Sequence, residues 1–190
     1  HLWVIHGKVL TYLQMHKDAM KYFRKAILVD ENCISGWYQL GHNYFIRQNY
    51  LNAIKCFKKA LSINSKAEDI WKSLAQAYNT IGEHDQAIKI LEKALEIIPN
   101  SSYLWYYLGT IYSSQNRLNK AIKAFEKSLE INPDSFFAPI ILINHYYRSG
   151  KSDLAIELFK KALIANPTNA QLWIQGSAIL SAKYPNIDSR

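Results

Sequence analysis

Apolar residues recur along this chain with two nested periods. Over short stretches they follow helical spacing: Trp37, Leu40, Gly41 and Tyr44 fall at i, i+3, i+4 and i+7, and Ala53, Ile54, Phe57, Ala60, Leu61 and Ile63 trace a second such face. The pair of faces then returns every 34 residues. Trp stands at 3, 37, 71, 105 and 173, and Ala at 19, 53, 87, 121 and 155. A fixed period of this length marks an array of small two-helix units, none of which can bury its apolar face alone. With the Trp at position 4, the units run 1–33 (lacking position 1), 34–67, 68–101, 102–135 and 136–169. A sixth starts at 170 and keeps one helix, 170–183, followed by a tail, 184–190.

The polar positions predict the breaks. Between the two helices of a unit stand Gln48-Asn49, Gly82, Asn116 and Gly150, residues suited to the left-handed conformation that ends a helix. Between units stand Pro99-Asn100, Pro133-Asp134 and Pro167-Thr168, where Pro stops one helix and the next residue is placed to cap the following one. Small residues on facing helices, Gly41 with Ala53 and Gly109 with Ala121, let backbones approach while aromatics fill the space beside them. The whole of 1–190 reads as one continuous solenoid. The fifth unit departs most: Phe136-Phe137-Ala138-Pro139-Ile140-Ile141 replaces the Trp opening, and Ile143, in place of Gly, predicts a wider helix spacing. The last helix would cover the end of that unit with Leu172, Trp173, Ile179 and Leu180.

The stretch Trp105 to Pro133, with Leu108-Gly109, Tyr112, Ala121, Phe125, Ser128 and the closing Pro, resembles the tetratricopeptide repeat (TPR) family. The resemblance implies an all-α, right-handed superhelical solenoid whose first helices line a concave groove with positions 2, 5, 9, 12 and 13. Those positions hold Tyr38, His42 and Phe45 in the second repeat, Lys72 and Gln76 in the third, Tyr103 and Tyr106 in the fourth, and Phe137, Ile140, Asn144, Tyr147 and Arg148 in the fifth. Aromatic residues beyond those needed for the core suit a binding surface, since they supply large contact area at low entropic cost. A partner peptide is expected to rest apolar side chains on Tyr103, Tyr106, Phe137 and Ile140. Lys72 and Arg148 would supply charge, and Gln76 and Asn144 hydrogen bonds. The junction of Tyr103 and Tyr106 with the Phe137–Ile141 opening is the expected hot spot.

Two subfamily patterns do not fit. The carboxylate clamp of chaperone-binding TPR proteins begins with Lys72 and Gln76 but is contradicted by Tyr107, Phe137 and Ile141. The Asn ladder of O-GlcNAc transferase needs Asn at position 6, where Ile5, Gln39, Ser73, Tyr107 and Ile141 stand.

Charge and chemistry change this picture little. The net charge of +8 points toward nucleic acid, but its distribution weakens that reading. Its distribution is patchy: 34–67 carries Arg47, Lys55, Lys58, Lys59 and Lys66 and no acid, whereas 68–101 is net acidic. Lys25, Lys59, Lys93, Lys127 and Lys161 recur at position 26, and Lys21, Lys55, Lys89 and Lys123 at position 22. Such a ridge reads first as a solvated face, with nucleic acid the disfavoured alternative. No Gly-rich phosphate loop, HExxH or nucleophile elbow occurs, and the six His residues do not group as ligands. No catalytic residue, metal or cofactor is therefore expected. Cys33 and Cys56 fit neither CxxC nor a disulfide framework, which points to a reducing, intracellular and cytoplasmic setting. No apolar run nears the ~20 residues needed to span a bilayer. The start at His1, already inside a repeat, reads as a piece of a longer protein. The expected function is a non-enzymatic scaffold binding a protein or peptide in its groove. The rival readings are a self-associating structural subunit and a binder of nucleic acid or acidic surfaces through the lysine ridge.

Overall fold

The computed structural model describes residues 2–133 and 137–183, and these form eleven α-helices. By Cα proximity the chain divides into two compact units, His1–Pro99 and Asn100–Arg190. The first unit contains α1 (Leu2–Tyr12), α2 (His16–Val29), α3 (Ile34–Ile46), α4 (Tyr50–Ile63), α5 (Glu68–Thr80) and α6 (His84–Ile97). The second contains α7 (Ser102–Ser114), α8 (Leu118–Ile131), α9 (Phe137–Arg148), α10 (Ser152–Ala165) and α11 (Ala170–Lys183). Helices pair in sequence order, α1 with α2, α3 with α4, α5 with α6, α7 with α8 and α9 with α10. The fold class is the all-α repeat solenoid that the nested periods predict.

The turn inside each hairpin is set at one residue. Gln14, Gln48, Gly82, Asn116 and Gly150 all have positive φ, between 57° and 84°. In the second repeat the Gln48 N–H donates to the Phe45 carbonyl and the Asn49 N–H to the Tyr44 carbonyl, both at 2.9 Å. This crossed pair is how a left-handed residue satisfies the last carbonyls of a helix. The helix starts differ by one residue from the expected caps. Ser101 Oγ accepts from the Leu104 N–H at 3.1 Å, and Asn169 Oδ1 accepts from Gln171 and Leu172, so the caps lie just beyond Asn100 and Thr168. Asp134 lies outside the described residues.

The repeating Trp proves to be a clasp as well as a core residue. The indole N–H of Trp37 donates to the Glu31 carbonyl at 2.8 Å, that of Trp71 to Ser65 at 2.7 Å and that of Trp173 to Pro167 at 2.7 Å. Each bond ties a helix to the turn before it. It forms whether or not that turn holds Pro, which explains why repeats closing on Glu31 or Ser65 keep the same architecture.

Close helix approach rests on one pairing of small with large. A Cβ placed on Gly41 would stand 2.7 Å from the Phe57 ring, and one on Gly109 2.7 Å from that of Phe125. In the third repeat the same positions hold Ala75 and Leu91, both buried. In the fifth, Ile143 is fully buried against Phe159, in one core with Ala155 and Leu172. The missing glycine is replaced from α11: the Phe159 ring lies so close to Gly176 that a Cβ there would overlap it. Accordingly α11 seals the second unit with Leu172 and Ile179 buried and Leu180 half-buried. Trp173 contributes less than expected. It meets Phe159 edge-on at 6.3 Å but keeps 51% of its surface in water.

Candidate functional site

Helical geometry sorts each first helix into residues turned to the core and residues left over, and the leftover residues are the candidates. In the first unit, Tyr38 is half-buried with its ring 6.0 Å from Phe57 and 6.5 Å from His42, so it is tied to the core as well as presented beside His42. Phe45 meets Tyr50 edge-on at 5.2 Å and closes the α3–α4 end of the hairpin. His42 is exposed, while Lys72 and Gln76 on α5 are half-buried. Partial desolvation holds the His42 pKa below its ordinary value, and the charges of His16 and Lys72 push it the same way. The structure thus brings His42 and Lys72, from successive first helices, under one electrostatic influence.

Behind His42 lies a polar network that the periodicity did not signal. Asn43 is fully buried, and its Nδ2 donates to Thr11 Oγ1 and to the Gln39 carbonyl, each at 3.0 Å. Its Oδ1 lies 3.0 Å from His16 Nδ1. An amide oxygen only accepts, so His16 carries its proton on Nδ1 in this pair. The available clue was Asn at position 10, where Ala77 and Ile111 are apolar and buried.

In the second unit, Tyr106 is half-buried with its ring 5.7 Å from Phe125, and burial raises its phenol pKa. Tyr103 and Tyr107 stand 6.3 Å apart. Ile140 packs against the core around Ile143 and Phe159. Tyr106 and Ile140 are therefore partly committed to the fold. Phe137 opens α9, but its side chain lies outside the described residues. Asn144, Tyr147 and Arg148 are exposed. Asn144 and Arg148, with Ser113, stand around a cavity of about 380 Å³ whose inner wall includes the buried Ala121, Phe125 and Leu142. A polar, cationic mouth over an apolar wall can hold an aliphatic side chain while bonding to the backbone or carboxylate beside it.

The lysines of the second helices are exposed, as expected. Several are already engaged: Lys59 with Glu31, Lys127 with Glu130, Lys161 with Glu157, and Lys25 over the Trp3 ring. Cys56 is buried and its thiol is pushed up to about 11, so it stays protonated and inert at neutral pH. Among the described residues no group of three His, Cys, Asp or Glu side chains could hold a metal ion, and no helix is long and apolar enough to cross a membrane.

Two-helix units with caps, turns and Trp clasps in a fixed register define a helical-hairpin repeat scaffold, a class that mediates protein interactions. Tetratricopeptide repeat models match residues 1–33, 32–100 and 102–135, and a PPR repeat model matches 140–163. The chain belongs to the tetratricopeptide repeat family. No curated protein sequence matches it. Among solved structures it is similar to a crystal structure of MamA, at 27% identity, covering 87% of this chain and 96% of that one with a TM-score of 0.70. It is also similar to YrrB, a TPR protein with an unusual peptide-binding site, at 19% identity, 92% and 90% coverage and a TM-score of 0.63. A third is pilF of Pseudomonas aeruginosa, at 16% identity, 97% and 91% coverage and a TM-score of 0.73. The last two share the fold.

Proposed function

We propose that this chain is a non-enzymatic scaffold that binds a protein segment through the leftover faces of its first helices. The observation that supports it best is the cavity beside α9, where Asn144 and Arg148 stand over buried apolar residues. A segment with an aliphatic side chain followed by a carboxylate or backbone carbonyl suits that arrangement. In the first unit, His42, Lys72 and Gln76 offer the matching polar contacts, with Tyr38 beside them. The test is a displayed library of random peptides selected against the protein. Peptides bound by the wild type should lose about tenfold or more in affinity on Asn144→Ala/Arg148→Ala, two exposed positions whose loss leaves the core intact. Unchanged affinity would remove this face as the site.

A second reading, self-association, is favoured by α1. Leu2 and Val9 occupy positions 3 and 10 of their repeat and are 78% and 53% exposed. Ile70 and Leu172 at position 3, and Ala77 at position 10, are buried. A second copy covering α1 would make the solution mass rise with concentration, and Leu2→Ser/Val9→Ser would abolish that rise. A constant monomer mass would set this reading aside.

A further inference from the structure

The outer side of the second unit carries a groove that the first-helix faces do not explain. It has a volume of about 410 Å³ and lies between α8, α9 and α10. Leu129, Leu142, Leu154 and Leu158 supply its apolar surface. Leu154 is 49% exposed. In every other repeat that position, 19, is polar: Asp18, Asn52, Gln86 and Lys120. A leucine there costs solubility and gives the hairpin no core contact of the kind its neighbours Ala155 and Ile156 make. The departure therefore belongs to the groove.

One charge beside the groove departs in the same repeat. Position 22 is Lys21, Lys55, Lys89 and Lys123 in the first four repeats and Glu157 in the fifth. The residue at position 25 of one repeat meets the Tyr at position 11 of the next. Arg24 donates to the Tyr44 hydroxyl at 2.8 Å, and Lys58 stands over the Tyr78 ring at 5.4 Å. In the second unit the partner of Tyr146 is Glu126, which accepts the phenol hydrogen at 2.5 Å. The contact is kept with a carboxylate in place of a cation, and Glu92 shows that position 25 takes either sign. Glu130 adds a third carboxylate, against one lining cation, Lys161. The bonds from Lys161 to Glu157 and from Lys127 to Glu130 join exposed side chains, and such pairs contribute little and exchange readily. Glu126 uses Oε1 for Tyr146, and a carboxylate has further acceptor capacity.

We infer that this groove docks an amphipathic helix of a partner protein, its aliphatic side chains on Leu129, Leu154 and Leu158 and its flanking Lys or Arg residues on Glu126, Glu130 and Glu157. Apolar anchors in a groove with complementary charge at the rim are the recurrent mode of helix capture. The chain as a whole, at net +8, repels such a basic segment, so the acidic rim sets where it lands. A short synthetic helix of Leu and Lys, and its Leu and Glu counterpart, are titrated by fluorescence anisotropy and mapped by amide chemical shifts. The Leu/Lys helix should bind, with the largest shifts around Leu129, Tyr146, Leu154 and Leu158, and the Leu/Glu helix should not. Glu126→Lys/Glu157→Lys restores residue types that other repeats carry at these positions, so the hairpins fold, and affinity should fall by about tenfold or more. Glu126→Gln/Glu157→Gln should fall in between. Equal affinity in the charge-reversed protein, a shift map elsewhere, or binding of both helices would overturn the inference.

Discussion

In the second repeat the ring of Phe57 fits over Gly41 of the helix before it, whereas in the fifth the ring of Phe159 finds its glycine, Gly176, on the helix after it. Both rings are buried, and both need a neighbour without a Cβ. The requirement for a small residue opposite a large one is fixed by packing density, but the helix that supplies it is not. This makes α11 an integral wall of the second unit. A helix that merely shielded an apolar end would have no reason to carry glycine at that point. The outer faces differ in the same spirit: position 22 is Lys in the first four repeats and Glu157 in the fifth, while the position-25 contact with the tyrosine of the next hairpin is made by Arg24, Lys58 and Glu126 alike. Packing positions are held by the fold, and signs of charge are left for partners to set.

The largest test of this comparison removes the rings. Phe57→Ala and Phe159→Ala should each cost roughly 3–5 kcal/mol in chemical denaturation, the range for emptying a buried aromatic site. A much smaller loss for Phe159 would show that α11 is loosely held. Next come the glycines. Gly41→Ala and Gly176→Ala should each cost about 1–3 kcal/mol, because the new methyl meets a ring that other side chains hold in place. If Gly176→Ala is neutral while Gly41→Ala is not, the equivalence of the two fails. The turns follow. Gly82→Ala places a Cβ at φ 84° and should cost about 1 kcal/mol, whereas Gln48→Gly relieves the same conformation and should be neutral or slightly stabilising.

The smallest effect concerns the first unit's face. Folding depresses the His42 pKa below its ordinary value near 6.5, so the neutral imidazole is the form the folded chain favours. Its contribution to stability is present above that ordinary value and is lost as pH falls through the folded value. A proton resonance titration should place the His42 midpoint below 6.5. Lys72→Met should raise it only in part, since burial is the first cause and His16 remains. A midpoint unmoved by Lys72→Met would separate the two residues that the proposed face joins.

Much of the fold was legible because its determinants are periodic. Trp and Ala at fixed spacing located every hairpin from the second to the fourth repeat, and turn residues located the breaks. What escaped depends on contacts rather than spacing. The Trp indole clasp is a side chain reaching a backbone carbonyl, which leaves no trace in hydropathy. The rescue of Ile143 by Gly176 joins residues outside one period. Among the candidate site residues, sequence could say which positions a first helix leaves over, and Asn144, Tyr147 and Arg148 are indeed exposed. It could not say that Tyr38 and Tyr106 each lean on the buried phenylalanine of their own hairpin, because that depends on ring placement within the hairpin. The groove at Leu154 was within reach: a lone leucine and a lone glutamate at polar and lysine positions of the register carry the signal.

The central claim is that partner segments bind the leftover faces of the first helices. Its most direct test is amide chemical-shift mapping with a peptide selected from a displayed library against the Glu126→Gln/Glu157→Gln protein, whose outer groove is neutralised. The account predicts shifts concentrated at Asn144, Tyr147 and Arg148 or at His42, Lys72 and Gln76. Shifts confined to the second helices α2, α4, α6, α8 and α10 would contradict it.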